Sequence, residues 1–160
     1  MAEGTVLQTM TGATLAISAS LPATYDAAGY GATGISFTTV GSVENYGSHG
    51  GSANVASFTA VGDGVVQSFK GAVDYGTKSV VCGYMPSDAG QDLLDAAFDS
   101  KSRYSLKVAY PARTGETTGE IHYLDVLVVR REWQDGAADD VRKVNYDLKV
   151  CRAPVRVAGS

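Results

Sequence analysis

Apolar and polar positions alternate over short stretches of this chain, and the stretches are parted by glycine-rich and polar breaks. Residues 13–19 alternate weakly and predict a first strand. Residues 20–34, with a proline, an aspartate and three glycines, carry no period and read as loop. Ile35–Val43 is β-rich, and 44–54 is a polar, glycine-rich break too long for a tight turn. Val55–Val61 and Val65–Phe69 flank Gly62-Asp63-Gly64, a turn signal between two β-rich runs, because glycine accepts the positive φ that hairpin turns demand. Val73–Tyr84 reads as a further strand with a bulge expected at Gly76.

At residue 86 the period changes. From Pro86 to Ser100, apolar residues at 93, 94, 97 and 98 share one helical face. Asp88 with Gln91 three positions on has the form of a capping box. Tyr104, Leu106, Val108 and Tyr110 then return to period two, and 112–119 is a turn. Ile121–Arg131 is apolar on both faces through its middle, which predicts a strand covered on both sides. Val144, Tyr146, Leu148 and Val150 alternate with Lys143, Asn145, Asp147 and Lys149, a strand with one apolar and one fully polar face. Many short strands with one helix predict a single, mainly β domain over 1–160, a β-sandwich or partly open barrel with one flanking α-helix at 86–100.

Composition narrows the classes of function. With 160 residues the chain fits one domain, and 19 glycines suit strands joined by turns. No apolar run reaches the ~18–20 residues of a membrane helix, and the opening MAEGTVLQTM has no basic-then-apolar signal pattern, so neither membrane nor secretory signal is expected. Residues 1–100 hold two basic and nine acidic side chains and residues 101–160 eleven and eight. An acidic chain without a Lys/Arg cluster is a poor gripper of nucleic acid, while opposite halves can meet across a subunit boundary. Cys82 and Cys151 match no metal or redox spacing and read as two half-buried thiols or one bridge.

Candidate chemistry is sparse. Gly29–Gly34 satisfies G-x-G-x-x-G, but a loop precedes it and a β-rich run follows, the reverse of what a pyrophosphate site requires. His49 and His122 lack a metal-ligand pattern, with only Glu120 and Asp125 near His122. No nucleophile elbow or convergent acid–base set is visible, so no enzyme activity, cofactor or metal is expected. Asp88, Asp92, Asp95 and Asp99 form an acidic stripe along the helix, either a solvated face or a surface meeting Arg130, Arg131 or Arg142 of a neighbouring copy.

Three motifs in order carry a family resemblance: the Gly62-Asp63-Gly64 turn, Lys70-Gly71-x-x-Asp74-x-Gly76, and Pro86-x-Asp88-Ala89-Gly90-Gln91-x-x-Leu94. With the strands around them, residues 33–153 resemble the tail tube (major tail) proteins of long, non-contractile-tailed bacteriophages, the lambda-like siphophages. The resemblance implies a non-enzymatic virion protein whose homohexameric rings stack into a tube conducting genomic DNA at ejection. Inner strands of six copies would close into one barrel, and terminal arms and a long loop would bridge rings. Implied partners are further copies, the tail tip or initiator, the tape measure and the tail terminator, with double-stranded DNA passing transiently and no membrane. The implied location is the virion tail, and the host cytoplasm during assembly.

On that reading residues 1–34 form an arm and 44–57 an inter-ring loop, with Tyr25, Tyr30, Tyr46, His49 and Asn54 as contact candidates. The polar face of Lys143, Asn145, Asp147 and Lys149 would line the lumen or the exterior. The loop at 44–54 is short and, past Glu44, uncharged beside the usual pattern, which shifts expected stacking contacts toward the arm, residues 1–12 included. Tubes of secretion systems or phage-derived particles share this architecture. A β-sandwich binding module is the alternative of another class.

Overall fold

The computed structural model describes residues 7–160; of the expected arm, residues 1–6 lie outside the described residues. In chain order the elements are β1 (Thr14–Ser18), α1 (Ala27–Tyr30), β2 (Thr38–Val40), β3 (Val43–Asn45), β4 (Ser52–Thr59), β5 (Val66–Asp74), β6 (Thr77–Gly83), α2 (Ala89–Asp99), β7 (Tyr104–Ala109), β8 (Ile121–Gln134), β9 (Lys143–Val150) and β10 (Val155–Val157). One antiparallel sheet runs in the order β2-β1-β7-β8-β9-β6-β3, and β10 joins β8 end to end with β9. Among the described residues β4 and β5 pair only with each other.

The strand order fixes the shape. β2 and β3 are the two edges of the sheet, yet only Gly41 and Ser42 separate them in the chain. Three Cα steps cover at most ~11 Å, whereas seven flat strands at ~4.8 Å spacing would hold their edges ~29 Å apart. The sheet must therefore curl until its edges approach, and Ser42 takes the left-handed conformation (φ 55°) to make the corner. β2 and β3 do not pair, so this is a mainly β, partly open barrel. The single β run expected at 35–43 is thus two short strands on opposite edges.

α2 packs against β1, β2 and β8. Its motif residues explain themselves physically. Asp88 caps the helix, its carboxylate accepting from the Gln91 amide and from the Gly41 amide, both at 3.0 Å. Gln91 does not complete the capping box by reaching the Asp88 amide. Its buried amide donates to the carbonyls of Gly41 (3.1 Å) and Gly83 (2.8 Å) and accepts from the Met85 amide (3.0 Å). Leu94 and Ala97 enter the core with Leu15, Ile17, Val80, Cys82, Leu106, Leu124, Val144 and Leu148. Phe98 stays partly exposed under the Arg131 guanidinium, 4.8 Å from its ring centre.

Several other expectations are corrected. Gly76 (φ 71°) is a corner between β5 and β6, not a bulge; its amide bonds Asp74 Oδ1 at 3.0 Å. The bulge lies inside the hairpin instead, where the register shifts between Ala53 and Val55 opposite Gly71. The segment at 20–34 holds a short helix, α1, capped by Asp26. Both cysteines are free, and burial pushes the Cys82 thiol up to about 12, an inert core sulfur.

Gly90 touches backbone where α2 crosses β2: a Cβ there would run into the Thr39 carbonyl oxygen and sit 2.6 Å from Val40 Cα. Helix propensity alone would favour alanine by up to ~1 kcal/mol. Overpacking against backbone reverses the sign, so Gly90→Ala is expected to destabilise by about 1–3 kcal/mol in urea unfolding.

Candidate functional site

Two features of the surface stand apart from the packed body. The first is the β4–β5 hairpin. It leaves the sheet after β3 and rejoins it at β6, and every residue of its strands is exposed except half-buried Ala53. Its apolar residues face solvent: Val55 is 67% exposed, Phe58 60%, Val66 62% and Phe69 56%. Register places Val55, Ser57, Thr59, Val66, Ser68 and Lys70 on one face and Ala56, Phe58, Gln67 and Phe69 on the other. Both faces are therefore partly apolar, and both outer edges carry unpaired backbone groups. From residue 52 to 73 only Asp63 and Lys70 are charged. The tip spans 60–65, longer than a two-residue turn, and closes with the Gly64 amide on the Ala60 carbonyl at 3.0 Å and Gly64 at φ 62°.

The second feature is a pocket of about 400 Å³ at the root of this hairpin, with Met10, Tyr46, Ser48, His49, Lys78 and Tyr110 in its lining. Lys78 is 1% exposed; it shares strand parity with Val80 and Cys82 and so faces inward. Its ammonium reaches His49 Nδ1 at 3.2 Å; His49 Nε2 lies 2.7 Å from His122 Nδ1; His122 Nε2 lies 2.8 Å from Glu120 Oε1. An ammonium only donates, which assigns each tautomer in turn: His49 accepts at Nδ1 and donates from Nε2, and His122 does likewise to the Glu120 carboxylate. Hydrogen bonds from His122 and Arg156 hold Glu120 below the usual carboxylate range. Desolvation, then the charge of Lys78, lowers His49 to about 4, and desolvation lowers Lys78 to about 8. Among the described residues no group of His, Cys, Asp or Glu is arranged to hold a metal ion.

The other sequence candidates are mostly engaged within the subunit. Tyr30 is 2% exposed and stacks on Tyr123 at 5.0 Å, so its ring is consumed by folding and offers no surface for a neighbour. Tyr25 lies under the Arg152 guanidinium, 3.9 Å from its ring centre, and Tyr46 donates its hydroxyl to the Ala13 carbonyl at 2.7 Å. Asn54 is on exposed β4 at the hairpin bulge. In the acidic stripe, Asp88 is the helix cap, and Asp95 accepts from Arg131 (3.2 Å) and Tyr146 (2.8 Å). Arg130 pairs with Glu132 and Asp147, and Arg142 with Asp135. Asp92 and Asp99 remain exposed on the outer side of α2. The polar face of β9 is a ladder of pairs, Lys143 with Glu44, Asp147 with Ser79, and Lys149 with Asp74, and leaves Asn145 Oδ1 buried without a partner.

Lys78 and the corner at Gly41-Ser42 were missed by sequence reasoning. The parity of Lys78 with Val80 and Cys82 was the available signal.

The lowered His49 sets a pH window. As pH falls below 6.5 the unfolded chain takes up a proton that folded His49 refuses until about 4, so stability drops across that interval. His49→Gln is expected to flatten this part of the urea-midpoint profile and leave it unchanged above 6.5; an identical slope in both proteins would contradict the assignment.

No family model matches the chain, and no curated protein does. Solved structures do match. A chain of the anti-feeding prophage baseplate superposes with TM-score 0.69 at 12% identity, covering 91% of this chain and 92% of that one. A chain of the native gene transfer agent virion gives 0.63 at 13%, covering 95% and 100%. The SPP1 tail tube gives 0.61 at 13%, covering 92% and 77%. The chain therefore has the fold found in tail tube chains of phage tails and related injection particles.

Proposed function

We propose that this chain is a structural, non-enzymatic tube subunit, whose homohexameric rings stack into the tail tube of a virion and conduct double-stranded DNA at ejection. The observation that carries this reading is the hairpin. A 23-residue β-ribbon, Ser52–Asp74, exposes apolar side chains on both faces and has two unpaired edges, while the body it leaves is a packed, partly open barrel. An isolated two-stranded ribbon is marginal in water, and exposed apolar edges invite pairing with another chain. Laid edge to edge, ribbons of successive copies satisfy both needs at once and close only around an axis. The likeness to tail tube chains supports this occupant over an unrelated partner.

The ribbon suits a conduit wall. It carries two acidic residues, Asp63 and Asp74, and one basic residue, Lys70, so a wall built from it holds DNA weakly, because affinity for phosphates comes from cations. The implied partners are an initiator at the tip, a tape measure inside and a terminator at the far end, joined in the cytoplasm before the tail attaches. A second reading, the inner tube of a contractile particle, is favoured by the likeness to a chain of the sheath/tube terminator of an extracellular contractile injection system, at TM-score 0.67 and 8% identity. It leaves the ring and ribbon unchanged and adds a sheath outside.

Negative-stain imaging of the purified protein is expected to show rings or hollow rods, and a lone monomer under all conditions, initiator included, would overturn the proposal. The double variant Phe58→Ser with Phe69→Ser is expected to keep the thermal midpoint of the subunit, since both rings are more than half exposed, and to form no rings. Rings of normal yield would exclude the ribbon as the lateral contact.

A further inference from the structure

The pocket at the root of the hairpin contains an unbalanced charge. Lys78 is almost fully buried, and among the described residues no carboxylate lies within ion-pairing distance of it. Among the described residues its one side-chain hydrogen-bond partner is a neutral histidine. Glu44 lines the same pocket, but its carboxylate is held by Lys143 at 2.8 Å, and Glu120 is held by His122 and Arg156. Taking an ammonium out of water without a counter-charge is costly, and the cost is recovered when an anion enters. The pocket is open and large enough to admit a loop tip, with apolar Met10, Tyr46 and Tyr110 beside the cationic floor.

The chain carries a group of matching shape and charge. Most acidic residues are spent on ion pairs or caps; Asp63, Asp92, Asp99 and Asp139 are the described ones with no such partner. Asp92 and Asp99 lie on the convex face of α2, and Asp139 lies on the loop after β8. Asp63 alone crowns a projecting turn, between Gly62 and Gly64 and flanked by exposed Val61 and Val65. A narrow tip with apolar shoulders and a central carboxylate complements an apolar rim over an ammonium.

Tip and pocket cannot meet within one subunit. They lie at opposite ends of a ribbon of seven residue pairs along the eight residues of β4, ~27 Å long, and the exposure of both strands shows that it does not fold back on the body. We propose that the pocket is a socket for the Asp63 carboxylate of a second copy, so that the ribbon tip of one ring plugs into the ribbon root of the next. A contact between two different patches at opposite ends of one element is heterologous and propagates without closing, which is the geometry of an open-ended stack. This inference rests on the tube reading and adds to it the residues that join ring to ring.

The test is a double-mutant cycle read by tube length and by the critical concentration for tube formation. Asp63→Asn, at an exposed tip, is expected to leave folding and rings intact and to raise the critical concentration about tenfold or more, because it strands a buried charge. Lys78→Met removes that charge, so its thermal midpoint is expected to hold or rise while stacking is lost to a similar degree. The two together are expected to cost no more than either alone. Normal tubes from Asp63→Asn, or additive losses in the double variant, would overturn the socket while the ring reading stands. Failure of the unaltered protein to form rings at all would instead overturn the tube reading.

Discussion

The side chain of Gln91 holds the fold together at its weakest seam. A sheet whose two edges are joined by Gly41 and Ser42 cannot zip shut, because β2 and β3 end before they can pair. Buried backbone groups left at such a gap would each cost ~1–3 kcal/mol. One amide side chain, 2% exposed, satisfies the carbonyls of Gly41 and Gly83 and the amide of Met85, and Asp88 takes the Gly41 amide. The close approach that Gly90 permits brings these groups within reach. The helix thus replaces the missing strand pairing, and the motif that runs from Asp88 through Gln91 to Leu94 is a seam closure written in sequence.

Closing the body in this way leaves the hairpin outside it. Curling brings the edges β2 and β3 together across a two-residue link, and β4 and β5 extend neither of them. Their apolar side chains then face water for a topological reason rather than a compositional one. A ribbon in the same sequence position on an open sheet would have become two more strands of the core. The structure thus divides into a packed, partly open barrel and an unsupported ribbon.

Much of the body was legible because its burial is one-sided. The period change at Pro86, the Asp88 cap and the alternation of β7 and β9 each record a face that must be apolar and another that must not. The hairpin was legible as a hairpin from Gly62-Asp63-Gly64, but its exposure was not. Residues such as Val55, Phe58, Val66 and Phe69 look the same whether a strand is covered by its own chain or by a neighbour. Tyr30 failed in the opposite direction: in a glycine-rich loop it reads as free, and only the fold brings Tyr123 beneath it. The split of 35–43 into two edge strands depends on Ser42 at positive φ, a non-glycine corner that propensity does not announce.

The distribution of charge follows the same division. Arg103 and Arg152 neutralise buried Asp125, Arg131 takes Asp95, and Arg130 takes Asp147, all inside one chain. The basic C-terminal part of the sequence therefore meets acidic groups of its own subunit, and the excess of acid over base is carried by exposed residues such as Asp92 and Asp99. With Lys78 the exception, a body that pairs most of its charges internally leaves few of them free for salt bridges elsewhere. The element with almost no charge is the ribbon, whose exposed backbone edges and apolar side chains make contacts that salt screens little.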